Sequence, residues 1–259
     1  MPTISQLFVH PLKSCRAASV STLELDAVGP CDDRRWMVVD SSGRFVSLRT
    51  VPGLTQLDAE PLEGGLLRLQ LGGRSVVARP TASLLEVHVW RDSLEARVAD
   101  EDACTWIAER LDLPGARLVA LNQPRDTDPR YAAGGAVGFA DGYPLLVATE
   151  SAVADACGVT GVDVDPRRFR PNVVLAGVGL GEDAGWRTLR CGEVILDLVK
   201  PCERCIAIDV DPATGARDER SLVRALARRE PGPPVVLGWN AVSRRPGVLR
   251  VGDEVEVLA

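Results

Sequence analysis

The sequence predicts a mainly β fold with a few helices, of the α+β class. Three observations carry that expectation. Short apolar–polar alternations recur along most of the chain. Turn signals separate them, drawn from 24 glycines and 18 prolines, a content that favours tight turns over long helices. With 259 residues, 46% of them hydrophobic, the chain can bury a full core in one large domain or two interlocked ones.

In the first half, strands are expected over 4–9, 20–25, 35–39 and 45–48, with Ser41-Ser42-Gly43 as the turn joining the last two. Strands 66–71 and 75–78 flank Gly72-Gly73, and strands 85–90 and 94–98 surround Arg91-Asp92-Ser93. Together these make an antiparallel sandwich or barrel. A helix follows Ala99 and Asp100, because Ala103, Trp106, Ile107, Arg110 and Leu111 fall at helical spacing before the stop at Pro114-Gly115. Strand 117–121 leads into 122–138, a polar, glycine-rich stretch without periodicity that reads as a functional or mobile loop. The domain boundary is placed there, giving domains 1–122 and 123–259. The second half reads as strand 145–148, helix 150–156 capped by Thr149, strand 172–176, strand 194–199 and strand 206–210. A helix over 219–229, ended by Pro231-Gly232-Pro233-Pro234, and strands 235–242 and 248–258 complete the chain.

Charge and cysteine usage narrow the class. The net charge is −6, with no basic block and two histidines, so the electrostatic footprint of nucleic-acid binding is absent. The expected partner is a small molecule or another protein. Seven cysteines in no repeating pattern do not resemble a secreted disulfide framework. The N-terminus lacks a signal-peptide pattern, and no stretch approaches the ~20 apolar residues of a membrane span. A soluble cytoplasmic protein without membrane association is expected.

The stretch Val199–Gly215 holds the most pointed chemistry. Cys202 and Cys205 flank Arg204, and the alternation Ile206, Ile208, Val210 puts Cys205 at the mouth of a strand. A C-x-x-C pair is often half of a zinc site, but His10 and His88 are isolated and no second pair exists. A redox pair of the thioredoxin kind would precede a helix rather than a strand. Two inert, partly buried cysteines also satisfy the pattern. So does a single thiolate ligand to a soft, cofactor-held metal, with Arg204 beside it to stabilise negative charge.

A metal carried by a cofactor needs a docking surface for polar groups such as phosphate. Candidates are Pro11–Ser14, Asp33–Trp36, Asp141–Pro144, Phe169–Asn172 and Gly238–Asn240. Arg offers a bidentate fork, Lys a point charge, and Gly142 a bare backbone that a ligand can approach. Singly, each reads as an ordinary turn, strand edge or surface ion pair. Their weight lies in the set.

Several motifs in one order carry a family resemblance: HPLKSC, DRRWMVVDSSGRFVSLR, VWRDSLEARVADEDACTWIAERL, FADGYPLLVATESA, RFRPNVVLAG, KPCERCIAIDVDPATG and VGDEVEV. The chain resembles MOSC proteins in their two-part form, shared by the mitochondrial amidoxime-reducing components and bacterial relatives. That resemblance implies an N-terminal β-barrel region packed on a MOSC β-barrel domain, and a molybdenum cofactor, Mo-molybdopterin. It implies that Cys205 is the metal ligand and catalytic thiolate. Lys13, Ser14, Arg34 and Arg170 would hold the pterin and its phosphate, Asp141, Gly142 and Tyr143 would line the loop above it, and Asn172, Arg204 and Asn240 would complete the surroundings. Arg49 is expected at the mouth. Gly238-Trp239-Asn240 departs from the family's Phe-Gly-Gln-Asn pattern. The implied reaction is reduction of N-hydroxylated compounds such as amidoximes and hydroxylamines by removal of oxygen. No cysteine cluster remains for an iron–sulfur centre, so electrons are expected from a separate protein, a ferredoxin, cytochrome or flavin reductase. The alternative is a sulfur carrier, or a protein that binds and delivers the cofactor, working through Cys205.

Overall fold

The computed structural model describes residues 1–161, 164–229 and 234–259. Strands dominate, and four α-helices occur among the described residues. The largest sheet has eight strands, in the order Ala18–Val20, Thr3–Val9, Val173–Ala176, Leu145–Thr149, Val236–Ser243, Val194–Glu203, Thr188–Cys191 and Val255–Val257. Its ladder is open, and a single bridge between Thr3 and Glu254 draws its two sides together. Neighbouring strands run antiparallel except Leu145–Thr149 beside Val173–Ala176, a parallel pair joined through the helix Glu150–Thr160. Every residue of Leu145–Thr149 is buried, which matches its unbroken apolar run. Val194–Val199 instead alternates buried and half-buried positions, as its period-2 pattern requires.

A four-stranded sheet holds Trp36–Val39, Arg117–Leu121, Asp92–Ala99 and Pro80–Val89 in that order. Its edge strand Trp36–Val39 is buried on both faces. Trp36 and Val38 join Leu67, Leu69, Ile107 and Leu118 in one core, while Met37 and Val39 join Val87, Val89 and Phe139 in another. Replacing a fully buried leucine such as Leu67 by alanine costs about 2–5 kcal/mol in settings of this kind. The helix Glu101–Arg110 closes the first core, its N-terminus capped by Asp100, whose carboxylate accepts from the Ala103 amide at 3.1 Å.

Strand pairing runs across residue 122. Thr3–Val9 lies between Ala18–Val20 and Val173–Ala176, and Thr22–Asp26 pairs with Gly247–Arg250. The beginning of the chain is therefore woven into strands from its end, so segments far apart in sequence share one surface.

The structure corrects several local expectations. Ile206–Val210 is not a strand: Ile206–Asp209 forms a 3₁₀ turn. The preceding strand pairs with Thr188–Cys191 only over Val194–Asp197, and its other partner begins opposite Glu203, at Val236, so the ladder ends before Ile206; Asp209 instead caps the next helix through Ser221 Oγ and the Val223 amide. That helix spans Leu222–Arg229; its expected stop at Pro231-Gly232-Pro233 lies outside the described residues. Residues 45–48 make only isolated bridging contacts. The stretch 122–138 is ordered by the short pair Arg125–Asp126 and Ala136–Val137 around the helix Pro129–Ala132. The strand expected over 248–258 breaks at Gly252, where φ is +94°. Asp58–Leu62 is an additional strand that its Pro61 concealed; it is an edge strand, where proline is tolerated. No helix of the described residues is long and apolar enough to cross a membrane.

Candidate functional site

Every predicted site residue lines one cleft: Lys13, Ser14, Arg34, Asp141, Gly142, Tyr143, Arg170, Asn172, Arg204, Cys205 and Asn240. Arg49 lines it too.

The floor is a hydrogen-bonded frame. Asn172 is fully buried, and its amide donates to Phe8 O at 3.2 Å and Asp33 Oδ1 at 3.1 Å while accepting from the Leu146 amide at 3.2 Å and Arg34 Nη1 at 3.1 Å. These contacts use both N–H groups and both lone pairs, so this side chain positions the frame rather than reaching a ligand. Arg34 also donates to Asp33 at 2.5 Å and to the Arg170 carbonyl at 3.1 Å. Asp33 accepts from the His10 amide at 2.8 Å. His10 Nε2 lies 3.2 Å from the Pro171 carbonyl, and its Nδ1 has no partner. Burial, with Arg34 and Arg170 close by, holds His10 well below its ordinary value, so the ring is neutral.

Above the frame sit cations with incomplete compensation. Arg170 Nη1 donates to the Cys15 carbonyl at 2.7 Å, but its Nη2 is buried without an acceptor. Burial and the neighbouring Arg34 push Arg170 down to about 10. Ser14, Arg34 and Arg170 have φ of +73°, +47° and +56°, a left-handed backbone that side chains other than glycine rarely take. Such strain persists where the surroundings over-determine it, and here it aims three polar residues into one space.

The loop over the cleft is anchored from below. Lys13 Nζ donates to the Phe139 carbonyl at 2.7 Å and to Asp141 at 2.5 Å. Burial lowers the Lys13 ammonium from its usual range despite Asp141. Against the burial that would raise it, Lys13 holds the Asp141 carboxylate well below the usual carboxylate range; the carboxylate itself is largely exposed, so the pair is partly screened by water. Arg125, which no sequence signal marks, donates to the carbonyls of Gly138 and Ala140 and pairs with Asp92. Gly29, at φ +108°, lets Pro144 pack so close that a Cβ there would come within 2.3 Å of it. A Cβ on Gly142, by contrast, would meet nothing within 4 Å, so its backbone borders open space.

The remaining wall is the end of strand Val194–Glu203. Cys205 follows it, extended and exposed, as the residue that opens the 3₁₀ turn. Arg204 Nη1 donates to Cys202 Sγ at 2.8 Å and Nη2 to the Phe169 carbonyl at 2.7 Å; its buried Nε has no acceptor. Asn240, paired in register with Leu146 and Lys200, donates to the Pro201 carbonyl at 3.4 Å. Arg168 binds Ile208 O and Asp218, tying down the turn after Cys205. Burial pushes Cys15 up to about 11 and Cys191 up to about 12, leaving both as neutral thiols, whereas the Cys205 thiol meets solvent in the cleft. Among the described residues, no group of three His, Cys, Asp or Glu side chains could hold a metal ion.

Phe45, Arg49 and Trp90 form the rim opposite. The Arg49 guanidinium lies 4.1 Å from the Trp90 ring, and Phe45 packs against Trp90 at 5.1 Å. The sequence reading missed this contact because 45–48 and Trp90 were assigned to strands; Trp90 lies in a turn.

Comparison with known proteins fits this architecture. Residues 1–114 match the MOSC N-terminal β-barrel domain and residues 134–256 match the MOSC domain. The chain thus belongs to the MOSC family in its two-part form. It is similar to mitochondrial amidoxime-reducing component 1 of Mus musculus, at 29% identity over 99% of this chain and 82% of the relative. The Homo sapiens component 1 is 28% identical over 99% and 83%, and the Homo sapiens component 2 is 26% identical over 98% and 82%. Among solved structures, the YUAD protein of Bacillus subtilis covers 98% of this chain and 94% of its own with 11% identity and a TM-score of 0.43.

Proposed function

We propose that this chain is a molybdenum-cofactor-dependent oxidoreductase that removes oxygen from N-hydroxylated compounds such as amidoximes and hydroxylamines, with electrons drawn from a separate redox protein. One observation carries the reading. Beside the exposed Cys205, two buried guanidinium N–H groups, Arg170 Nη2 and Arg204 Nε, have no acceptor within the chain. Buried donors of this kind are rarely left unpaired, and a phosphate-bearing, thiolate-held cofactor would satisfy both the donors and the depressed Arg170. The names of the similar amidoxime-reducing components support the same chemistry.

When bound, the molybdenum cofactor supplies two-electron oxygen-atom chemistry. Cys205 is the thiolate the chain offers to the metal. Arg170 and Lys13 offer charge-assisted hydrogen bonds to phosphate, Ser14 a hydroxyl, and Arg204 a donor next to the ligand. The Asn172–Asp33–Arg34 frame keeps these groups in place without spending donors on the ligand. Gly142 and Tyr143 border the space through which a substrate reaches Cys205. Asp141, held ionised by Lys13, lines that approach and offers a hydrogen-bond acceptor to the substrate's N–H or O–H.

The test is metal and pterin analysis of protein made in a cofactor-competent, molybdenum-replete host, for wild type and Cys205→Ser, followed by reduction of benzamidoxime with an artificial electron donor. Near-stoichiometric molybdenum with turnover in wild type, both lost in Cys205→Ser, is expected. Wild type free of molybdenum and pterin would sink the reading. The exposure of Cys205 also suits a persulfide carrier; in that case the wild type carries a sulfur adduct of 32 Da, about the mass of one sulfur atom, and no pterin.

A further inference from the structure

The hairpin between strands Pro80–Val89 and Asp92–Ala99 turns over two residues, Trp90 and Arg91. Trp90 has φ of +58°, and Arg91 does not share a positive φ. Positive φ at the first central position of such a turn is where glycine sits without strain. A tryptophan there is costly, so the chain has a use for the ring that the turn does not supply. The cores do not supply it either: Trp90 belongs to none of them, and nearly half its surface, 46%, is exposed.

What holds the ring faces the cleft. Arg49 lies 4.1 Å from its centroid, Phe45 packs on it at an interplanar angle of 58°, and the ring is near enough to Asp141 to help keep that carboxylate ionised. Trp90, Arg49, Phe45 and Asp141 line the same cleft as Cys205. The result is a flat, apolar surface, pinned on several sides and open on the remainder, at the way in to the thiolate.

We propose that Trp90, braced by Arg49 and Phe45, is a stacking platform that selects N-hydroxylated substrates whose N–OH group is conjugated to a flat aromatic ring. This rests on the reductase reading above. Offset stacking on a rigid indole favours an aromatic ligand over an aliphatic one of equal polarity by about tenfold. Both kinds of substrate present the same N–OH group to Cys205, so the platform acts on affinity and leaves the reacting atoms alone.

The experiment compares wild type, Trp90→Gly and Trp90→Phe on benzamidoxime and acetamidoxime, with molybdenum and pterin content and Tm measured on the same preparations. Glycine relieves the turn, so Tm is expected to hold or rise. KM for benzamidoxime is expected to rise about tenfold in Trp90→Gly, with acetamidoxime constants within about twofold, and Trp90→Phe to retain most of the preference. Equal losses on both substrates, or cofactor lost with the ring, overturns the platform. Should Trp90→Gly fail to fold, Trp90→Asn, which tolerates the same backbone, takes its place. Should wild type turn over neither substrate, the reductase reading falls. The platform is then judged on calorimetric titration of benzamidoxime without electron donor. Affinity about tenfold weaker in the variant upholds it, and equal affinity overturns it.

Discussion

The two sides of the cleft are built on opposite principles. On the floor, Asn172, Asp33 and Arg34 bond to one another and to the backbone until no donor of Asn172 is left over. On the wall, Arg204 and the nearby Arg170 each keep one buried N–H without an acceptor, and Cys205 stands in solvent. A group that is fully bonded within the chain stabilises the fold and is blind to ligand. A group left unpaired weakens the fold slightly and gains when a ligand arrives. The difference separates residues that make the site from residues that use it, although both line the same surface.

The largest expected effect breaks the floor. Asn172→Ala leaves the Leu146 amide, the Phe8 carbonyl and part of the Asp33–Arg34 pair buried without partners, and should cost about 3–5 kcal/mol, or a fall in Tm of roughly 10 °C, measured by thermal unfolding of cofactor-free protein. A loss below about 1 kcal/mol would mean that the floor is not a frame. Next comes the loop. Arg125→Met removes the donors to Gly138 and Ala140 and should cost about 2–4 kcal/mol by urea unfolding, together with weaker cofactor retention, because Asp141 and Gly142 follow directly.

A pH series sharpens the same contrast. Burial, with Arg34 and Arg170 alongside, holds His10 below its ordinary value. The unfolded chain therefore takes up a proton as pH falls through about 6.5 while the folded chain does not. The His10 contribution is present in full above that pH and is lost as pH drops below it, by up to about 1.4 kcal/mol per pH unit. Unfolding curves between pH 7.5 and 5 should show that slope in wild type and a shallower one in His10→Gln. Smallest of all is the wall: Cys205→Ser in cofactor-free protein should change stability by less than about 0.5 kcal/mol. A larger loss would move Cys205 from ligand-facing wall to structural frame.

The reading of the sequence went furthest where chemistry is local. Strand-rich class and the helices after Asp100 and Thr149 were legible, because caps, turns and short motifs act over a few residues; the residues that line the cleft were reached only through the family resemblance. It failed where neighbours in space decide. Ile206–Asp209 alternates like a strand yet coils, since the strand it would extend loses its partner at the Glu203–Val236 pair. Arg125 looks like any surface arginine until the loop 138–140 folds over it.

By itself, then, the sequence determined the kinds of group this protein brings to its site and most of the strands that carry them. Only the tertiary structure decided that Lys13, Arg34, Asp141, Arg170 and Cys205 share one cleft, which of them are spent on the fold, and that Trp90 lines the same cleft. The physical reason is the pairing of Thr3–Val9 with Val173–Ala176. Periodicity and propensity act along a few residues of chain, whereas that pairing joins the start of the chain to a strand far along it, and the cleft exists only where they meet.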